Sequence, residues 1–450
     1  MTAAGQPPVA IANFIHYYQQ LREGRRGEIS EADIHSIDSL PDMERLDPGL
    51  ADLGRRERAK TVIIKLNGGL GTSMGLEGAK SLIVVKDGLT FLDIIARQAL
   101  GQGTPLILMN SNATREDSLP VLRRYPALQR NDIGLDFLQH SVPKIDRRSL
   151  LPVSHPAAPQ FEWCPPGHGD LYAALVTSGL LNRLLNAGYR SAFISNADNL
   201  GAMLDETVLG YFVSQACPFL MEAADRTPGD RKGGHLARNA SGALILREFA
   251  QCRADDRQAF LDIVKHKYFN TNNLWLDLQT LRATLDNRGY ILRLPLICNP
   301  KHVDPRDADS TPVYQLESAM GAAISVFEGA QALRVPRRRF IPVKTTNDLF
   351  VIRSDAYTLS ENYQLVPSRS GGEQLPRVNL DPRYYQSMDA YEQRLPFGVP
   401  SLSRCRSLVI QGDVKFGQNI TLEGDVTITN QTGKQVMLDD AAVLTGEINF

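Results

Sequence analysis

Apolar and polar positions along the chain change period several times, and each change marks an element. Thr61 to Leu66 (T-V-I-I-K-L) is a short apolar run, followed by a glycine-rich stretch, then Leu82–Val85, then a helical pattern over Phe91–Leu100. Strand, glycine loop and helix in that order predict an α/β fold. Further buried strands are expected at Leu106–Met109, Ile133–Leu138, Ser191–Ser195, Phe219–Glu222, Leu244–Glu248 and Phe340–Val343. The strongest helical pattern covers 171–187, where Leu171, Leu175, Ser178, Leu181 and Leu185 share a face, Asp170 can cap the start and Gly188 can end it. One open sheet covered by helices follows.

The flanks read differently. In residues 1–58, Phe14, Tyr17, Tyr18 and Leu21 recur at helical spacing until Gly24 and Gly27, and no chemistry is assigned to this segment. The stretch 365–400 is rich in Pro, Gly and Ser, including Pro367, Gly371, Gly372, Pro376, Pro396 and Pro400, and places a connection at 371–404. After it apolar and polar residues alternate, and Gly-Asp-Val recurs at Gly412–Val414 and Gly424–Val426. That 12-residue offset suggests the coils of a small β-solenoid over 405–450.

Composition narrows the function. At 450 residues, 43% hydrophobic and 22% charged, the chain is long enough for two or three packed units. With 49 Lys and Arg against 50 Asp and Glu, neither a nucleic acid nor a membrane partner is expected, so any anion site must be built locally. The five cysteines are scattered without a C-x-x-C pair, which argues against a disulfide framework or a structural zinc and fits the reducing cytoplasm. No apolar run near 18 residues and no signal-like N-terminus is present, so neither spanning nor secretion is expected.

The candidate chemistry starts at Leu66-Asn67-Gly68-Gly69-Leu70-Gly71-Thr72-Ser73-Met74-Gly75, where backbone N–H groups would emerge at the carboxyl edge of the sheet and could bond phosphate oxygens. It is not a dinucleotide fingerprint, which needs glycine at Met74, nor a Walker A loop ending in Lys80-Ser81, which needs glycine at Met74 and Ala79. Lys80 close behind such a loop can neutralise a triphosphate; the bland alternatives are a ligand-free turn and a solvated lysine. Asp198, just past a buried strand, suits Mg²⁺ or an Asx-turn. Gly167-His168-Gly169-Asp170 precedes the long helix, where an anion is favoured and where a cap alone would also fit. Lys344 ends the expected strand Phe340–Val343, as a phosphate contact or an edge-strand lysine. Gly233 and Gly234 permit close approach of another chain or the ligand.

Together these segments carry a resemblance. K-L-N-G-G-L-G-T-S-M-G with Lys80-Ser81, W-C-P-P-G-H-G-D (163–170), S-N-A-D-N-L-G-A (195–202), F-N-T-N-N-L-W (269–275), Y-Q-L-E-S-A-M-G-A-A-I (314–324) and R-F-I-P-V-K-T-T-N-D-L (339–349) resemble, in order, the motifs of eukaryotic-type UDP-glucose pyrophosphorylases. The resemblance implies a Rossmann-like, glycosyltransferase A-like mixed sheet over a nucleotidyltransferase domain at 59–370. It implies Mg²⁺-dependent joining of UTP to glucose 1-phosphate, giving UDP-glucose and pyrophosphate, with Lys80 and Lys344 as the catalytic cations.

By the same resemblance UTP meets Leu66, Asn67, Gly68, Gly69, Lys80 and Lys344, with Gln139 and Gly167 at the uracil. The sugar phosphate meets Gly68, Gly69, His168, Asn196, Ala197 and Asp198, with Asn272 or Asn273 and Glu317 at the hydroxyls. For these last three, turn formation and helix-start capping are the alternatives. Asp198 is the implied metal ligand. Animal and fungal members can associate through the C-terminal coils, which makes a homo-oligomer through them a candidate partner state; the chain ends at Phe450 with a shorter solenoid than theirs, so the oligomer state does not carry over. Leu76-Glu77-Gly78-Ala79 departs from the family's C-K-G-P. The competing readings are another sugar 1-phosphate, such as that of galactose or N-acetylglucosamine, and a scaffold that binds sugar nucleotides with little catalysis; retention of both lysines opposes the second.

Overall fold

The computed structural model describes residues 1–130, 133–368 and 375–450, so Gly371 and Gly372 of the expected connection lie outside the described residues. The centre of the molecule is strand β1, Thr61–Asn67, buried along nearly its whole length. A strand with water on neither face is mostly apolar on both, which is why its sequence shows no alternation; its buried Lys65 and Asn67 bond inside the protein. Around it stand β2 (Leu106–Asn110), β3 (Asp136–Leu138) and β4 (Ser191–Asn196), all parallel, with Ile63 opposite Leu106 and Leu66 opposite Asn196. Beyond β4 the direction reverses. Strands β5 (Phe219–Asp225) and β6 (His235–Asn239) both pair antiparallel with β7 (Tyr268–Asp277), which also pairs antiparallel with β4, and β8 (Gln331–Arg334) runs parallel to β5. The result is a large mixed sheet covered by helices, as expected, with the carboxyl ends of β1 to β4 opening on one edge.

Three expectations need correction. The single helix over 171–187 is two, Leu171–Thr177 and Leu180–Asn186, because Gly179 takes φ +71° and Ser178 turns its hydroxyl back onto the Ala174 carbonyl at 2.6 Å. Phe340–Val343 is not a strand but a strap. A turn at Arg337–Arg339 precedes it, Pro342 lacks an N–H, and its sheet-like contact is one isolated bridge to Asn199. The Gly-Asp-Val spacing is not a coil period. Strands β9 (Arg377–Asn379), β10 (Ser401–Gln411), β11 (Thr421–Thr429) and β12 (Val443–Asn449) form a parallel sheet in which Ser401 pairs with Thr421 and Thr421 with Val443, steps of 20 and 22 residues. Gly424 lies opposite Cys405 whereas Gly412 backs onto Asn430, so the two copies are not equivalent.

Between β9 and β10 lie the short helices Pro382–Tyr385 and Met388–Arg394, which bury Tyr385 and Tyr391. Phe350, Tyr391 and Phe416 meet edge to face, and one apolar cluster runs from Ile63 and Phe193 through them to Leu402, Leu408 and Ile428. At the other end α1 (Pro8–Arg22) packs Phe14, Tyr17 and Leu21 against Val142, Cys164 and Leu316. Among the described residues, no helix is long and apolar enough to cross a membrane.

Candidate active site at the carboxyl edge of the sheet

The glycine loop leaves β1 and folds back, with Leu70 bridged to Ala79 and the Lys80 N–H donating to the Gly69 carbonyl at 3.3 Å. Gly69 is exposed, and a Cβ built there would meet nothing within 4 Å. Gly68 is the opposite case: a Cβ there would lie 2.7 Å from Gln139 Nε2, so only glycine lets the loop lie against that amide. Asn67 points the other way, its amide donating to Asn110 at 2.8 Å and Ser118 at 2.7 Å in the core. Only its backbone is left for a ligand.

Lys80 reaches across the edge to Asp198, Nζ to Oδ2 2.7 Å, with both side chains mostly covered (16% and 24% exposed). The Asp198 turn is held from three sides. Ala197 N–H donates to the Leu66 carbonyl at 3.0 Å, which ties β4 to β1. Lys65, buried in β1, donates to Ser195 Oγ and the Ala202 carbonyl, both at 2.7 Å, and so spans the turn; burial lowers its pKa to about 7. Asn199 accepts from Ile341 N–H at 2.8 Å and donates to the Arg339 carbonyl at 3.1 Å, while Val343 N–H donates to the Asp198 carbonyl at 3.2 Å. The strap therefore delivers Lys344 beside the same turn. Lys344 is exposed and carries no ion pair among the described residues.

Gly167-His168-Gly169 interlocks with Glu317–Met320. A Cβ on Gly167 (φ +78°) would lie 2.5 Å from the Ser318 carbonyl oxygen, and one on Gly169 2.3 Å from Ser318 Oγ. Met320 N–H donates to His168 Nδ1 at 2.9 Å, which leaves Nε2 to carry the proton as a donor. Burial lowers the His168 pKa to about 4, so the ring is neutral near pH 7. Glu317 accepts from Asn299 at 3.2 Å, and burial raises its pKa.

Asn272 and Asn273 separate clearly. The register of β5 on β7 slips between Glu222 and Ala223, leaving Asn272 at a bulge with φ +59°. Asn273 is fully buried, donating to Glu222 at 3.0 Å and the Arg339 carbonyl at 3.1 Å, in a network closed by the two-point Arg339–Glu222 pair (2.7 and 2.6 Å) and Trp275 (2.9 Å). Asn272, half-buried and bonded among the described residues only to Asn270, is the member of the pair that can meet a ligand. Asn196, at the end of β4, makes no side-chain bond to the protein among the described residues.

Two features escaped the sequence reading. Gly234 makes room for Glu248: a Cβ there would lie 2.5 Å from its carboxylate. Burial raises the Glu248 pKa to about 7, opposed by the field of Lys344. The glycine pair was the legible sign; the acid behind it was not. Asp170 is the second. It makes no helix cap and instead binds His140.

A mixed sheet whose carboxyl edge gathers an open glycine loop, two lysines and a carboxylate defines a nucleotidyltransferase. The family model for UTP–glucose-1-phosphate uridylyltransferase matches residues 11–423, and the chain belongs to that family. It is 38% identical over 411 residues to the probable UTP–glucose-1-phosphate uridylyltransferase of Schizosaccharomyces pombe, covering 88% of this chain and 79% of the relative. It is likewise 38% identical to the uridylyltransferase of Hordeum vulgare, covering 86% and 80%. Among solved structures, a mutant UDP-glucose pyrophosphorylase of Leishmania major in complex with UDP-glucose superposes with a TM-score of 0.91 at 41% identity, covering all of this chain and 97% of that one. A UDP-glucose phosphorylase of Trypanosoma brucei gives 0.90 at 42%, covering all of this chain and 98% of that one.

Proposed function

We infer that this protein joins UTP to glucose 1-phosphate, forming UDP-glucose and pyrophosphate. The observation that carries the reading is the Lys80–Asp198 pair at 2.7 Å beside the open Gly69 loop, a cation and a carboxylate positioned where a triphosphate would lie. A sugar-phosphate oxygen attacks the α-phosphorus, the new P–O bond forms, and the bond to the bridging oxygen breaks as pyrophosphate leaves. No covalent enzyme intermediate is needed. The protein's task is to bring two polyanions together and to neutralise the charge that grows on the leaving group.

In this reading the N–H groups of Gly68 and Gly69 bond phosphate oxygens, Lys80 and Lys344 bracket the triphosphate, and Gln139 with Gly167 reads the uracil. His168 donates from neutral Nε2 to the sugar phosphate. Asn196, Asn272, Glu317 and Glu248 offer bonds to the sugar hydroxyls. The donor set fits Mg²⁺. Asp198 is one partly exposed carboxylate already drawn to a cation, and among the described residues no group of three ligating side chains gathers nearby, which suits an ion held chiefly by phosphates and water. Bound at Asp198, the ion would add charge neutralisation at the α-phosphate.

The segments 1–58, 59–370 and 405–450 would then serve as N-terminal helical segment, transferase unit and a β-solenoid of parallel coils, with the 371–404 connection contributing the first strand of those coils and the start of the second. The free edge of β12 is the surface where a second copy could add, which light scattering would detect.

The test is pyrophosphate release from UTP and Mg²⁺ with each of glucose, galactose and N-acetylglucosamine 1-phosphates. Release with glucose 1-phosphate at the highest kcat/KM is expected. Preference for another sugar would move the substrate, and no release with any would remove the enzyme reading.

A further inference from the structure

Asp170 is 2% exposed and, among the described residues, spends its carboxylate on a single one. Oδ2 accepts the His140 backbone N–H at 2.7 Å and Oδ1 lies 2.8 Å from His140 Nδ1, while His140 Nε2 lies 2.9 Å from Thr177 Oγ1. A buried carboxylate with two such bonds fixes both the peptide and the ring it holds. The residue just before His140 is Gln139, whose own N–H donates to the Asn110 carbonyl at 2.8 Å. Gln139 is therefore pinned on both sides by main-chain bonds, to β2 before it and to Asp170 after it. Its side-chain amide, with no hydrogen bond to the protein among the described residues, lies against Gly68.

The other end of the device is fixed as well. Asp170 N–H donates to the Gly167 carbonyl at 3.2 Å, so the carboxylate belongs to the turn that carries Gly167 and His168. From behind, α1 seals the pair: Ala10, Phe14 and Tyr17 line the small enclosed gap around His140 and Asp170, and Gln6 accepts the Ser141 N–H at 3.2 Å. The N-terminal helix is thus the rear wall of the base site.

We propose that Asp170, acting through His140, is a positioning residue that sets the Gln139 amide for uracil and so controls nucleotide selectivity without touching the nucleotide. This rests on the reading above that Gln139 meets the base. Uracil offers an N–H between two carbonyls, whereas cytosine offers a bare ring nitrogen beside an amino group. From a main chain held in one place, the amide meets uracil with its oxygen on the ring N–H and its NH2 on a carbonyl, and must turn over and re-seat against Gly68 to meet cytosine; a main chain free to shift accommodates both.

The experiment compares kcat/KM for UTP and CTP, by pyrophosphate release with glucose 1-phosphate, in the wild type, Asp170→Asn and His140→Asn. The UTP/CTP ratio should fall ~10-fold or more in Asp170→Asn, through a raised KM for UTP with little change in kcat, and fall less in His140→Asn, which keeps the backbone bond. The KM for glucose 1-phosphate should hold within about twofold. An unchanged ratio, or an equal loss with both nucleotides, overturns the proposal even if thermal stability drops. Should Asp170→Asn not fold, the ratio in His140→Asn decides by the same criterion. A wild type that fails to discriminate UTP from CTP would instead remove the assignment of Gln139 to the base.

Discussion

Lys80 and Asp198 satisfy one another, so each is held ready without a partly buried charge left bare. Replacing Lys80 or Lys344 by alanine should lower kcat by about 10²–10³-fold while the melting midpoint moves by only a few degrees, since neither lies in the core. Calorimetry beside a turnover assay separates the two effects, and near-native turnover would remove the role of that lysine. The two asparagines should behave in opposite ways. Asn273→Ala leaves Glu222 and the Arg339 carbonyl short of a donor and should cost about 2–4 kcal/mol in urea unfolding. Asn272→Ala should cost little stability and raise the KM for the sugar phosphate. Which of the adjacent pair is free was not legible, because a bulge resets the alternation that would otherwise decide it.

Glu248 gives a pH prediction of definite sign. Its folded pKa of about 7 lies above the unfolded value, so the stability its protonated form contributes is fully present below about pH 4.5 and is lost as pH rises through 7. Glu248→Gln should therefore raise the melting midpoint relative to the wild type more at pH 8 than at pH 5.

At the scale of elements, the helices Leu50–Glu57 and Glu206–Ser214 cross at glycine. A Cβ on Gly54 would lie 1.8 Å from the Glu206 carbonyl oxygen, and one on Gly210 1.9 Å from that of Leu50. Gly54→Ala must force the helices apart and should cost about 3 kcal/mol or more, measured by denaturant unfolding, with activity per folded molecule retained. The buried strands were legible because β1, β2 and β4 have no solvent face to interrupt their apolar runs. The helix break at Gly179 was not, since the leucines on either side keep one period across it. The strap before Lys344 read as a strand because Phe340, Ile341 and Val343 are apolar; Pro342 and the side chain of Asn199, a distant partner, decided otherwise. Asp170 misled for a related reason: a carboxylate before a helix is a good cap unless the fold brings it a better partner.

At the scale of the whole molecule, the apolar cluster that starts under the sheet continues without a gap into the parallel strands near the C-terminus. Deleting residues 401–450 would uncover Tyr391, Phe350 and Phe416-facing surface, so the truncated chain should unfold at markedly lower temperature and lose pyrophosphate release. A truncated protein that melted like the full chain would show instead that the ends fold independently.

The bridge between Asn199 and Pro342 has a consequence for how the protein is made. Because the strap closes over a turn laid down nearly 150 residues earlier, Lys344 cannot stand beside the Asp198 turn until roughly three-quarters of the chain has been synthesised. On the proposed role of Lys344, the full stabilising effect of substrate by mass action would come only once that residue has arrived, which leaves the early parallel core to form largely on its own cohesion.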